Sequence, residues 1–172
     1  MIVVADTSPL SYLLLVEQVD LLPQLYGRVM IPEAVYAELR SEKAPLAIHT
    51  WIANPAAWLE IRKVNLVDPF LENLGAGEGQ AIMLAQETGA DLLLLDDWDA
   101  RQEAQRRQLR IAGTLRVLED AARVELIELP KVIAKLQATN FRIDSTLVQS
   151  MLKRDADWKK HRHKGTHLQR PK

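Results

Sequence analysis

Acidic residues recur in this chain at places where they could act together. Asp6 closes the short apolar run Ile2-Val3-Val4-Ala5, and Asp96 and Asp97 close the clearest buried strand in the sequence, Leu92-Leu93-Leu94-Leu95. Glu38 lies on the helix predicted after a second short strand, and Glu78 directly follows Gly77 at the start of another helix. Ligands of open α/β sheets collect outside the carboxyl ends of the strands, so acids that finish separate strands are expected to be neighbours in space. Carboxylates within about 4–6 Å of one another repel and raise at least one pKa; a dry cluster therefore needs shared protons or a cation. Ligands that are all oxygen suit a hard ion such as Mg²⁺ or Mn²⁺. Such an ion acidifies a bound water and stabilises charge on a phosphoryl oxygen, which is the chemistry of phosphodiester hydrolysis. Taken singly, each acid has a plainer use: Asp6 as an N-cap, Glu38 as a solvated side chain, Glu78 as a first-turn carboxylate favoured by the helix dipole. Repetition of the pattern carries the reading. Asp96 and Asp97 cannot both face the same way, so one is available to cap the next helix; we place Asp97 toward the cluster, with Asp96 the adjacent choice.

The elements that must position these acids follow from pattern and punctuation. Short apolar strands are predicted at 2–5, 28–31, 58–64, 91–95 and 110–112, and helices at 10–16, 21–26, 33–40, 80–87, 99–108, 114–123, 130–138 and 144–152. Thr7-Ser8-Pro9 is a helix-start signal, Gly27 and Gly89 are stops, and Thr114 caps the helix after Gly113. Residues 41–57, with Pro45 and Pro55, read as mixed helix and loop. Strands alternating with helices imply an α/β fold in three layers, α/β/α, with a short central parallel sheet. One domain over 1–152 is expected, with 153–172 a basic tail, either a solvated disordered terminus or an ordered one, which the sequence leaves open.

With 172 residues, 48% of them hydrophobic and 26% charged, the chain can bury a core. It has no cysteine, which excludes disulfides, thiolate zinc sites and cysteine nucleophiles. No signal-peptide pattern opens it, and no apolar run approaches the roughly 20 residues that span a bilayer; the reading is a cytoplasmic protein without a membrane segment. The net charge of −1 hides an asymmetry: eight Lys and Arg against two Asp from Lys153 onward give +6, leaving −7 for residues 1–152. An acidic body with a basic tail suits a polyanionic partner. His161, His163 and His167 punctuate that tail without neighbouring acids.

Four stretches resemble, in order, the successive motifs of PIN domains: Val4-Ala5-Asp6-Thr7-Ser8-Pro9-Leu10; Ile31-Pro32-Glu33-Ala34-Val35-Tyr36-Ala37-Glu38-Leu39; Gly77-Glu78-Gly79-Gln80-Ala81-Ile82; and Leu94-Leu95-Asp96-Asp97-Trp98-Asp99-Ala100-Arg101. The remainder is similar to the C-terminal helices of a PIN subgroup related to VapC-type toxins. The resemblance implies a metal-dependent ribonuclease in which Asp6, Glu78 and Asp97 hold Mg²⁺ or Mn²⁺, directly or through water. Asp96 is the adjacent choice of metal ligand for the position given to Asp97, and Asp99 would be a further acid of the metal site. Glu38 would orient or deprotonate the attacking water, and Thr7 or Ser8 would supply a hydroxyl beside the metal water. Many toxins of this class have threonine before the last motif where this chain has Leu95-Asp96, so the register of the fourth acid is open by one residue.

Arg101, Arg106 and Arg107 follow the acidic strand end, and they would contact RNA phosphates or pair with Glu103. A homodimer is expected from apolar helix faces, and, by analogy with the toxins, so is a small antitoxin that blocks the acidic cleft. Two rival folds fail on pattern. A haloacid-dehalogenase-like phosphatase needs a second aspartate where Ser8 stands, and a response-regulator receiver carries its acidic pair after the first strand. A PIN-like module that binds RNA or protein without turnover remains the alternative.

Overall fold

The computed structural model describes residues 1–65, 68–71 and 73–165, with side chains as far as residue 162. The chain forms two compact units, Met1–Val117 and Leu118–Lys172. The first contains a five-stranded parallel sheet. Its strands are β1 (Val3–Ala5), β2 (Val29–Pro32), β3 (Leu59–Arg62), β4 (Leu92–Leu94) and β5 (Ile111–Ala112), in the spatial order β3-β2-β1-β4-β5. Pairing is in register around the centre, with Val3 beside Val29 on one side and Val4 beside Leu93 and Ala5 beside Leu94 on the other. The chain moves outward from β1 to β2 and β3, then returns to lay β4 on the opposite side of β1. That reversal makes the gap between β1 and β4 the topological switch point, where a crevice opens at the carboxyl edge.

Helices α1 (Thr7–Leu15), α2 (Leu21–Tyr26), α3 (Glu33–Leu39) and α4 (Leu46–Ile52) connect β1, β2 and β3, while α5 (Ala76–Thr88) and α6 (Trp98–Arg106) connect β3, β4 and β5. α5 packs on β1, β2 and β4, with α6 beside it on β5, while α3 packs against α5 as well as on β2 and β3. Val4, Leu93 and Leu95 pack with Ala81, Ile82, Leu84 and Ala85 of α5 and with Ala100 and Ala104 of α6 in one continuous core. Small residues on α5 and α6 let both helices lie close to strands only three residues long. The mixed stretch 41–57 contains α4, whose Ile48 and Ile52 are buried. A 3₁₀ turn at Pro69–Leu71, which the sequence pattern did not predict, precedes α5.

The second unit contains most of α7 (Thr114–Arg123), together with α8 (Leu129–Gln137) and α9 (Ser145–Gly165). Leu129, Val132, Ile133, Leu136, Val148 and Met151 form its interior where α8 and α9 pack. The basic stretch from Lys153 continues as helix to Gly165, so position 152 falls inside α9. A Lys159–Asp155 pair at 2.7 Å, one turn apart, stabilises that extension. His167 and the rest of 166–172 lie outside the described residues, as does the side chain of His163. Among the described residues no helix is long and apolar enough to cross a membrane.

Candidate active site

Asp6 is the residue that β1 delivers to the switch point. Its backbone N–H donates to the Leu94 carbonyl at 3.0 Å, extending the β1–β4 ladder by one step, and its carboxylate then caps α1 by accepting from the Ser8 N–H at 3.5 Å. It is 2% exposed. Its Oδ1 is buried with no hydrogen-bond partner among the described residues. Burial pushes the carboxyl up from 3.8 to about 7, with repulsion from Glu78 and Glu38 adding to it and the Thr7 and Ser8 N–H groups opposing. A buried carboxylate with one bare oxygen and two acids in electrostatic reach fits an oxygen-ligated cation.

Glu38 reaches the same place from α3. Both of its oxygens are occupied: Oε1 accepts the Gly77 N–H at 2.8 Å, and Oε2 accepts the Thr7 hydroxyl. It therefore ties the first turn of α1 to the first turn of α5 as an acceptor of both donors. This contact also explains Gly77, because a Cβ there would lie 2.5 Å from Glu38 Oε2. Glu78, the next residue, closes a capping interaction in which Oε2 accepts the Gly75 N–H at 2.9 Å. Its carboxyl is raised by burial, and the charges of Asp97, Glu38 and Asp99 raise it further against the Gly75 hydrogen bond.

The adjacent pair after β4 divides its work. Asp97 is the N-cap of α6, with Oδ1 accepting the Ala100 N–H at 2.9 Å, and it is also the member whose charge acts on Glu78. Asp96 turns toward β5. Its Oδ1 accepts the Thr114 N–H at 2.8 Å and its Oδ2 the Thr114 hydroxyl at 2.6 Å. Burial raises the Asp96 carboxyl, while Thr114 and the Arg101 guanidinium hold it down. Gly113 is the floor of that contact, since a Cβ on it would meet Asp96 Oδ1 at 2.7 Å and Arg101 Nη1 at 2.8 Å. Cap and cluster member are thus one residue, Asp97, where the sequence reading divided these roles between the two aspartates.

The structure brings Asp6, Glu38, Glu78, Asp97 and Asp99 into one electrostatic group and sets Asp96 in a neighbouring one with Thr114 and Arg101. Among the described residues no three acids or histidines already form a metal-ligand set; Glu38, Glu78 and Asp97 each hold a backbone N–H instead. Of the arginines, Arg107 is built into the fold, bridging Asp68 and Glu103 at 2.7 Å each and Gln86 at 2.9 Å. Arg106 pairs with Glu103 from an exposed position. Sequence reasoning missed Thr114 as a partner of the acidic pair, although its place after Gly113 marked it as a cap.

A family model described as DUF3368, PIN domain, matches residues 2–157. No curated protein matches the chain. Among solved structures, a PilT N-terminus domain protein from the hyperthermophilic archaeon Sulfolobus solfataricus P2 aligns with a TM-score of 0.48 at 17% identity, over 84% of this chain and 100% of that one. With the matched model spanning nearly the whole chain, this protein belongs to the PIN-domain family, generally a nuclease fold.

Proposed function

We infer that this chain is a metal-dependent endoribonuclease that hydrolyses RNA phosphodiesters with Mg²⁺ or Mn²⁺ and serves as the toxin of a toxin–antitoxin pair. The observation that carries the nuclease reading is Asp6: a buried carboxylate with a bare Oδ1, pressed by Glu78 and Glu38. Asp6, Glu78 and Asp97 would hold the ion, directly or through water, with Asp99 as an outer acid, while Asp96 is taken up by Thr114. When bound, the ion supplies an acidified water and neutralises charge on the phosphoryl oxygens. Glu38 holds the Thr7 hydroxyl and the first turn of α5 in fixed relation to Asp6, and Ser8 supplies its N–H to the same carboxylate. On α6, Arg106, whose side chain stays exposed in its pair with Glu103, would contact backbone phosphates.

A second copy and a small antitoxin are the partners of this reading. The exposed Val124, Leu126 and Leu147 of the second unit offer apolar surface to a protein partner. The alternative, a PIN-like binding module without turnover, draws on the lack of a ready-made ligand set among the described residues. Incubation of the protein with RNA pools in Mn²⁺, Mg²⁺ or EDTA separates the two. Cleavage only with metal, lost in Asp6→Ala and Asp97→Ala chains that still fold, supports the nuclease; an inert wild type that still binds RNA supports the module.

A further inference from the structure

Two aromatic rings stand in water beside the acidic group. Trp98, 71% exposed, is the first residue of α6 and lies between Asp97 and Asp99. Phe70, 84% exposed, sits in the 3₁₀ turn before α5. Leu71 beside it lies 3.5 Å from where a Cβ on Gly79 would be, which places the turn against α5 one residue past Glu78. The Phe70 N–H donates to Asp68 at 2.9 Å, and Asp68 pairs with Arg107 at 2.7 Å, so the turn is anchored to the end of α6. The fold makes no use of either ring: no ring contact or cation–π pair involves them among the described residues.

We propose that Trp98 and Phe70 are stacking platforms for unpaired nucleobases of the strand that enters the acidic site. This rests on the nuclease reading above and names two residues that position its substrate. Stacking asks for isolated flat faces next to the strand's path and tolerates any base. A protein interface asks for a contiguous apolar patch with few charges at its centre. Trp98 is flanked by two aspartates and Phe70 follows Asp68 and Pro69, so the surroundings match the first requirement and not the second. Bases in a duplex already stack on one another, so they cannot use these rings unless they are unpaired.

The test is anisotropy of fluorescein-labelled oligouridine, and of the same strand annealed to its complement, on Asp6→Asn protein so that no cleavage intervenes. Trp98→Ala should weaken single-strand binding about 10-fold or more and Phe70→Ala in the same direction, the weight of a lost base stack. Trp98→Tyr should stay near the parent, and the duplex should bind weakly throughout. Unchanged binding in both alanine variants overturns the proposal, as does Trp98→Leu equal to the parent, which would mean apolar contact without stacking. If the alanine variants keep RNA binding but convert a dimer to a monomer in light scattering, the rings belong to a protein interface and the proposal is wrong. Failure of the nuclease reading shows separately, as wild-type protein that binds the oligouridine through these rings yet never cuts it with Mn²⁺.

Discussion

Asp6→Asn replaces a carboxylate by a neutral group of the same shape, and the structure sets the size of the effect. Folding moves the Asp6 carboxyl from 3.8 to about 7, chiefly by burial. Holding it ionised in the metal-free fold therefore costs about 4 kcal/mol, at roughly 1.4 kcal/mol for each unit of pH between the two values. Because the folded value is the higher, the unfolded chain releases the proton first as pH rises. Stability is present in full below about pH 4, falls steadily between about 4 and 7, and is level above that. The asparagine chain has no such slope. Both proteins should melt together at pH 4 in EDTA, and at pH 8 the variant should melt higher by roughly 8–16 °C, using 2–4 °C per kcal/mol for a chain of this size. Carboxylates outside the cluster are common to the two chains and drop out of the difference, while the repulsion of Asp6 by Glu78 and Glu38 is present only in the wild type and belongs to its slope. In saturating Mn²⁺ the order should move back toward wild type, since an ion bound at 100 times its Kd adds about 2.7 kcal/mol only where the ligand is intact. Melting curves from pH 4 to 8, with and without metal, decide it. A difference that is the same at every pH would refute the reasoning, because the shifted carboxyl would then not be Asp6.

Other perturbations have definite signs. Gly→Ala inside a helix ordinarily stabilises by about 1 kcal/mol, but Gly77→Ala should destabilise by about 2–3 kcal/mol in urea unfolding, because the new methyl displaces Glu38 from the Gly77 and Thr7 donors. Asp97→Asn keeps a competent cap for α6 and should unfold like wild type while losing the Mn²⁺-dependent rise in melting temperature; Asp97→Ala should lose about 1 kcal/mol as well. Thr114→Val strips the hydroxyl from Asp96 and should cost about 2 kcal/mol at neutral pH. That hydroxyl holds the raised Asp96 carboxyl down, so the deficit should shrink as pH falls and Asp96 is protonated, which paired urea titrations at low and neutral pH would measure.

The sequence by itself determined the order of elements and the presence of acids at the carboxyl ends of β1 and β4. Both are local: a run such as Val3-Val4-Ala5 is too apolar to be anywhere but inside, and a polar residue that ends it must emerge at the strand end. The PIN motifs were legible for the same reason, each being a strand end or a helix start. Tertiary structure decided which atoms meet. Nothing within a few residues of Glu38 reveals that its oxygens will hold Thr7 and Gly77, 31 and 39 positions away, or that Gly77 is glycine because of that contact. The choice between Asp96 and Asp97 could not be read from their adjacency; it follows from the placement of Thr114 beside β4 by the β4–β5 pairing. The pairing of Arg107 with Glu103, one turn away, was open to sequence reading, whereas its contacts with Gln86 and Asp68 exist only because α5 and the turn before it bring those residues to it. Hydrophobic periodicity fixes which side of an element is buried, whereas contacts between polar groups depend on strand order and register, and those are settled when the whole sheet closes.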